Sequence, residues 1–266
     1  MNYYSQKIES LLLRTICQTV ATQPITSKKQ RLYRTKVLGG FLQGMSFSMP
    51  QLERLSFALG TYEAHIVRCM QRLIKPGDTV YDIGANAGYF TLVMSKIVQS
   101  NGNVFSFEPD PSNFGALQKN IQDNNLTVAK PIQKAVSDST EELTFATFEY
   151  SLVGHIATQS TPDDATLIKV DATTLDDFVY KQGFPSPKFL KIDVEGAEDR
   201  VLFGADRLLR EARPIILAEV REGEIYENIV HFLTERGYRF EFLKGGWQRE
   251  KHQLSDMLFL PTSSSC

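Results

Sequence analysis

Residues 80–90, Val-Tyr-Asp-Ile-Gly-Ala-Asn-Ala-Gly-Tyr-Phe, run from an apolar strand through a glycine-rich turn into a helix. The turn is Gly84-x-Asn86-x-Gly88, and a second apolar strand, Val104-Phe105-Ser106-Phe107, ends on Glu108 about 20 residues later. A βαβ unit with glycines in its first turn and a carboxylate closing its second strand is built to hold a nucleoside. Glycine lets the backbone approach the ligand, and the carboxylate can accept both ribose hydroxyl hydrogens. The turn lacks two things. A dinucleotide site would read G-x-G-x-x-G, whereas Asn86 stands in place of the second glycine. A P-loop would need Gly-Lys-Ser/Thr, which is absent. A nucleoside without phosphates is the better match, and that points to S-adenosylmethionine.

Outward from this turn, composition sets the class. With 266 residues and 42% hydrophobic content, the chain can form one large α/β domain plus an appendage. A formal charge of −2 argues against a nucleic-acid partner, because phosphate backbones are bound by strongly basic faces. Cys17, Cys69 and Cys266 are odd in number and widely spaced, so neither a disulfide framework nor a zinc pattern is expected and a cytoplasmic setting is read. The longest apolar run near the start, Leu11-Leu12-Leu13, is too short for a leader or a membrane span.

Residues 1–75 read as helical: Ile8, Leu11, Leu12, Ile16 and Val20 fall at helical spacing, and Leu52, Leu55 and Leu59 resume it beyond Gly39-Gly40 and Gly44. Lys28-Lys29-Gln30-Arg31 reads as a solvated loop. From Lys75-Pro76-Gly77-Asp78 onward, strands alternate with helices. Strands are predicted at 79–83, 103–107, 131–136, 188–193, 215–220, 238–243 and 256–260, and helices near 88–98, 111–123, 173–182, 196–210 and 222–236. This alternation predicts a mostly parallel sheet covered on both faces. The last two strands, joined through Lys244-Gly245-Gly246-Trp247, predict a hairpin and hence one antiparallel member. Trp247 itself reads either as a substrate platform or as an edge cover. Between Ser137 and Val170, Leu143-Thr144-Phe145-Ala146-Thr147-Phe148 alternates like a strand, which predicts a β-excursion over the site.

Acids end several of these strands: Asp82, Glu108, the Lys191-Ile192-Asp193-Val194-Glu195-Gly196-Ala197-Glu198 run, and Glu219. The carboxyl ends of a doubly wound sheet converge on one crevice, and a charge ending a buried strand is costly unless paired or functional. Gly84 and Gly88 are expected at the cofactor, with Asp82 contacting it directly or through the loop and Glu108 on its ribose. Asn86 either lines the methionine end or bonds backbone locally. Ser137 follows the third strand, where the adenine is expected; an Asx-type turn with Asp138 is the alternative. Lys191 and Asp193 share a strand face. An alcohol attacks the sulfonium methyl in line only when its proton has an acceptor, so Asp193 is the expected base or orienter, with Lys191 beside it. Glu195 is the better site candidate and Glu198 the more structural one, while His155 is either a general base from the inserted segment or an exposed loop histidine. His65, His231 and His252 read as structural or surface. Asp193 and Glu219 could together hold Mg2+, which favours oxygen ligands. With only two acids at matching strand ends, the metal is weighed and not expected.

The segments 82–90, Phe107-Glu108-Pro109 and 190–198 together resemble the FkbM family of S-adenosylmethionine-dependent O-methyltransferases. Gly60-Thr61-Tyr62-Glu63 and Asp256-Met257-Leu258-Phe259-Leu260-Pro261 are similar to that family's edges, so the resemblance covers about 60–261. It implies a Rossmann-like class I methyltransferase fold, α/β, with a mostly parallel seven-stranded sheet and helices on both faces. It adds Glu63 to the cofactor side. Residues 1–59 are expected as a helical N-terminal extension that caps the pocket or mediates homodimerisation, and 60–266 as the methyltransferase domain. The reaction class implied is methylation of a hydroxyl on a small-molecule or glycosidic acceptor, such as a sugar or secondary metabolite. A nitrogen or carboxyl acceptor on the same fold, or a non-catalytic cofactor-binding domain, are the competing readings.

Overall fold

The structure, a computed structural model, describes residues 18–21, 31–50, 55–148, 151–156, 161, 165–243 and 254–262. Ile8 to Ile16, Lys28 to Gln30, Leu52 and Trp247 lie outside the described residues, as do Cys17, His252 and Cys266.

The expected helical extension is corrected where it is described. Strands β1 (Gln18–Ala21), β2 (Arg31–Lys36) and β3 (Ser46–Met49) form an antiparallel sheet. The reason is a period of two: in Ser46-Phe47-Ser48-Met49, Phe47 and Met49 enter the core while the serines turn the other way. Among the described residues, the first helices are α1 (Leu55–Leu59) and α2 (Ala64–Leu73), the latter burying Ile66, Val67, Cys69 and Met70 on one face.

A βαβαβ run follows: β4 (Thr79–Ile83), α3 (Tyr89–Val98), β5 (Asn103–Phe107), α4 (Pro111–Asp123) and β6 (Ala129–Ile132). Helix α4 starts where Asp110 accepts from Ser112 N at 2.7 Å and Asn113 N at 2.9 Å, with Pro111 in the first turn, a cap worth about 1 kcal/mol. Asn120 on α4 imitates a neighbouring strand. Its Oδ1 accepts from Ser48 N at 2.6 Å, and its Nδ2 donates to Ser48 O and to Ala87 O, both at 2.7 Å. One amide thus ties the small N-terminal sheet to the glycine turn.

The strand expected over 131–136 divides, because β6 ends at Ile132 and β7 (Ala135–Val136) joins a different sheet. Pro131 sits on the outermost strand of the main sheet, where a missing N–H costs no ladder bond. The β-excursion is present: β7, β8 (Glu142–Phe148), β9 (Ser151–Ile156) and β10 (Thr166–Thr173) form a sheet of order β7-β10-β8-β9. The helix expected over 173–182 shortens to a π-helical turn at Asp177–Lys181, since β10 itself runs on to Thr173.

The chain then returns through β11 (Phe189–Ile192), α5 (Glu198–Phe203), α6 (Asp206–Glu211), β12 (Ile215–Arg221), α7 (Glu224–Glu235), β13 (Tyr238–Phe242) and β14 (Leu254–Pro261). The single helix expected over 196–210 is broken in two. Gly204 lies so close to Ser137 that a Cβ would sit 2.1 Å from its carbonyl oxygen, and Asp176 caps α6 by accepting from Arg207 N and Leu208 N at 2.9 and 2.8 Å.

The main sheet has seven strands in the order β13-β14-β12-β11-β4-β5-β6, all parallel except β14, which pairs antiparallel with both neighbours. Alternate residues enter opposite cores. Val80, Val104 and Phe189 face α2, α3 and α4, while Tyr81, Phe105 and Leu190 face the π-helical turn and α5 to α7. Connections leave β4 toward β5 on one side and return to β11 on the other, so the sheet's crevice opens at the carboxyl ends of β4 and β11.

Candidate active site

The turn between β4 and α3 owes its glycines to protein neighbours. Gly84 has φ 77°, and a Cβ there would stand 1.9 Å from the carbonyl oxygen of Asp193 at the end of β11. Gly88 has φ 88°, and its Cβ would meet Leu117 Cδ1 of α4 at 2.5 Å. Asn86, at φ 52°, also takes the left-handed conformation and accepts from Ala87 N at 2.6 Å through its own Oδ1. Glu108 closes the turn from β5: its Oε2 accepts from Asn86 N at 2.7 Å, and its Oε1 from Asp110 N at 3.0 Å. Burial pushes the Glu108 carboxyl up to about 8, against the two amides that favour its charge.

Asp82 is fully buried, on the α3 side of β4. Its Oδ2 accepts from Thr91 Oγ1 at 2.7 Å, and that hydroxyl lies 2.9 Å from Ser106 Oγ. Across the register from Asp82 stands Lys191, whose Nζ is 3.8 Å from Asp82 Oδ1, 3.1 Å from Asp193 Oδ2 and 4.9 Å from the centre of the Phe90 ring. Burial opposes the Lys191 charge, but Asp193 and Asp82 outweigh it and hold the group above the ordinary lysine value. Lys191 is therefore a fixed ammonium donor.

Beyond Lys191 lies a small open cleft whose acids come from four places in the chain: Glu63 before α2, Asp193 after β11, Glu219 on β12 and Asp256 on β14. Glu219 and Asp256 are directly paired across β12 and β14, and Asp256 Oδ2 is hydrogen bonded to His65 Nε2 at 2.7 Å. Burial, then Asp193 and Glu195, push Glu219 up to about 9. Burial, then Asp193 and Glu198, bring Glu195 to about 7. Burial, with Asp193 and Asp256, also raises Glu63. Asp193, Glu195 and Glu219 each place a carboxylate oxygen within 4.8 Å of the others, an all-oxygen donor set that fits a hard ion such as Mg2+. The pair weighed from sequence, Asp193 and Glu219, thus has Glu195 beside it, although Lys191 already bonds one oxygen of Asp193.

The remaining expected residues lie elsewhere. Ser137 is buried, and its hydroxyl donates to Asp138 Oδ1 at 3.1 Å; Arg200 holds the same oxygen at 2.7 Å, pulling Asp138 below the ordinary carboxylate range. His155 is half-buried on β9 opposite Ala146, its imidazole held below the ordinary value by burial and by Arg221. Glu198 closes its own loop by accepting from Gly196 N at 3.0 Å and Val194 N at 3.3 Å. Asp256 and His65 were not singled out as site residues from sequence. Asp256 carries the signal that marked Glu219, an acid within an apolar strand, whereas nothing local marks His65, which is 191 residues from its partner.

Glu63, Asn86 and Glu195 border this crevice and are three of the six described non-glycine residues with positive φ. Such strain persists where surrounding structure over-determines it, and it clusters at working sites. A sheet of this strand order, with a phosphate-free glycine turn, a carboxylate closing β5 and acid-ended strands facing the switch point, defines a class I methyltransferase. The sequence matches the family model of the methyltransferase FkbM domain over residues 82–240, and the chain belongs to that family. It is 26% identical over 182 residues to the hexuronic acid methyltransferase AglP of Haloferax volcanii, covering 68% of this chain and 72% of that protein. It is 30% identical over 161 residues to the 31-O-demethyl-FK506 methyltransferase FkbM of Streptomyces tacrolimicus, covering 50% of this chain and 61% of that one. Among solved structures, the methyltransferase FkbM of Methylobacillus flagellatus shares the fold at a TM-score of 0.52 and 17% identity, covering 70% of this chain and 44% of that longer one. This chain is accordingly an enzyme, a methyltransferase of FkbM type. No helix among the described residues is long and apolar enough to cross a membrane.

Proposed function

We propose that this enzyme transfers the methyl group of S-adenosylmethionine to a hydroxyl of a small-molecule or glycosidic acceptor and releases S-adenosylhomocysteine. The observation that carries the reading is the contact of Gly84 with Asp193, because it sets the nucleoside turn directly against the acid-lined cleft. Glu108 would accept from the ribose hydroxyls while the backbone of 84–88 and Asn86 flank the methionine end. Asp82 acts from beneath, through Thr91 and Lys191. The acceptor oxygen attacks the methyl carbon, the carbon–sulfur bond breaks with its electron pair passing to sulfur, and the hydroxyl proton passes to a carboxylate. Asp193 is that base or orienter, held by Lys191, with Glu195 as the other group able to take the proton. The names of the two relatives, one for hexuronic acid and one for an O-demethyl compound, support an oxygen acceptor.

An amine acceptor is the second reading, favoured by the ring of carboxylates that would gather a cation. An assay with methyl-labelled S-adenosylmethionine and a panel of sugars, hydroxylated metabolites and amines decides between them by product mass. Asp193→Asn should bind S-adenosylhomocysteine normally and turn over about a hundredfold more slowly. A fully active variant would remove Asp193 from the chemistry, and absence of cofactor binding by the wild type would sink the whole reading. Because Lys191 already neutralises part of the acid cluster, Mg2+ and EDTA are expected to leave the rate unchanged, and a rate restored by Mg2+ would place an ion among Asp193, Glu195 and Glu219.

A further inference from the structure

We infer that the wall receiving the adenine ring is Phe145, backed by Ile156, so that the β8–β9 hairpin outside the main sheet recognises the base. This rests on the reading above that a nucleoside occupies the switch point. A second cleft, shallow and open to solvent, is lined by Gly84 of the turn and by Pro109, the residue after Glu108. A ribose held on Glu108 would direct its base into this space. Val136 at the end of β7, Val194 after β11, and Phe145 and Ile156 of the hairpin also line it. Lys134 is the one charged or polar side chain among the described residues lining it. The largely apolar walls suit a flat, uncharged heterocycle.

The hairpin register explains why these two side chains act together. Phe145 and Ile156 are directly opposite one another across β8 and β9, so they project from the same face. Two residues before Ile156, on that face, stands Gly154, where a Cβ would lie 2.4 Å from Phe145 Cε1 and 3.1 Å from Ala146 O. The missing side chain lets the Phe145 ring pack directly on the backbone of residue 154, where any larger residue would displace it. Ser137, the residue expected near adenine from sequence, does not line this cleft and its hydroxyl is taken up by Asp138.

Calorimetry with S-adenosylhomocysteine and with adenosine tests the assignment. Phe145→Ala should weaken both ligands by a common factor, roughly fivefold to a hundredfold, the range for removing one aromatic face from a base. Phe145→Leu keeps an apolar side chain packed with Leu143 and Val170, so its thermal midpoint should fall less than that of Phe145→Ala while both affinities still fall. If Phe145→Ala fails to fold, Phe145→Leu decides alone. Amide exchange across 142–148 in the wild type should slow when S-adenosylhomocysteine is added. A wild type that binds the ligand, with a folded Phe145→Leu that binds it equally well and unchanged exchange, overturns the assignment. A wild type that binds neither ligand instead overturns the nucleoside reading on which it rests.

Discussion

Lys191 Nζ stands 3.1 Å from Asp193 Oδ2, with only 7% of the lysine side chain exposed. An ammonium this deep is tolerated because a second carboxylate, Asp82, faces it from the neighbouring strand at 3.8 Å and the Phe90 ring lies below it. The arrangement makes Lys191 the link between buried Asp82 beneath the glycine turn and Asp193 at the cleft. It anchors Asp193, and the two carboxylates favour its charged form.

Lys191→Met should therefore destabilise the fold by about 3–5 kcal/mol, since it strands the fully buried Asp82 without its cation. Adding Asp82→Asn should recover a large part of that loss, because the amide keeps an acceptor for Thr91 and carries no charge. Denaturant unfolding of both single variants and the double variant gives the coupling. Strict additivity, within about 0.5 kcal/mol, would show that the two groups do not depend on each other.

Gly84→Ala meets two obstacles at once, a φ of 77° and a Cβ placed 1.9 Å from the Asp193 carbonyl oxygen. Neither partner is a flexible side chain end, so β4 and β11 must part. A loss of about 2 kcal/mol or more in unfolding free energy is expected, together with weaker binding of S-adenosylhomocysteine. A variant as stable and as tight as wild type would show that the strands separate at no cost, and the link between turn and cleft would fail.

Burial lifts Glu108 to about 8 in the free protein, whereas ribose hydroxyls donate to the ionised form and would pull it down. Binding of S-adenosylhomocysteine at neutral pH should thus release a proton, and affinity should climb from about pH 6 to about pH 8.5. Calorimetry in buffers of different ionisation enthalpy measures the proton directly. Glu108→Gln should abolish the release and flatten the climb. If the release persists in that variant, another group carries the linkage.

Glu219 is also raised, and here the raised value bears on stability with the opposite pH dependence. Its folded value of about 9 exceeds the ordinary 4.5, so the folded protein holds the proton more tightly than the unfolded chain. The stabilisation this brings is complete below about pH 4.5 and is lost as pH rises toward about 9. Glu219→Gln removes the titration while keeping the shape, so the variant's thermal midpoint should gain on wild type steadily across that window. A difference independent of pH would remove Glu219 from the like-charge cluster.

Much of this site was legible locally because its main parts lie within single supersecondary units. The strand–turn–helix–strand from Thr79 to Glu108 is one βαβ unit, and its periodicities and turn residues are short-range signals. The acids ending β11 and β12 stood out as charges within apolar runs. The N-terminal sheet was misread because Leu and Ile spaced for a helix upstream masked a four-residue alternation in Ser46–Met49, and that strand is satisfied by Asn120 and Asn124 of a distant helix. The broken helix at Gly204 could not be foreseen either, since its cause is the carbonyl of Ser137.

By itself the sequence determined the alternation of strands and helices, the phosphate-free glycine turn and the carboxylate that closes it, because each is written in periodicity and residue type over a few dozen positions. Only the tertiary structure decided that Gly84 rests on Asp193, that Asp256 joins Glu63 and Glu219 around one cleft with His65 behind it, and that Phe145 walls the other. Those relationships depend on strand order and register, and these are set when separate segments bury their apolar faces against one another.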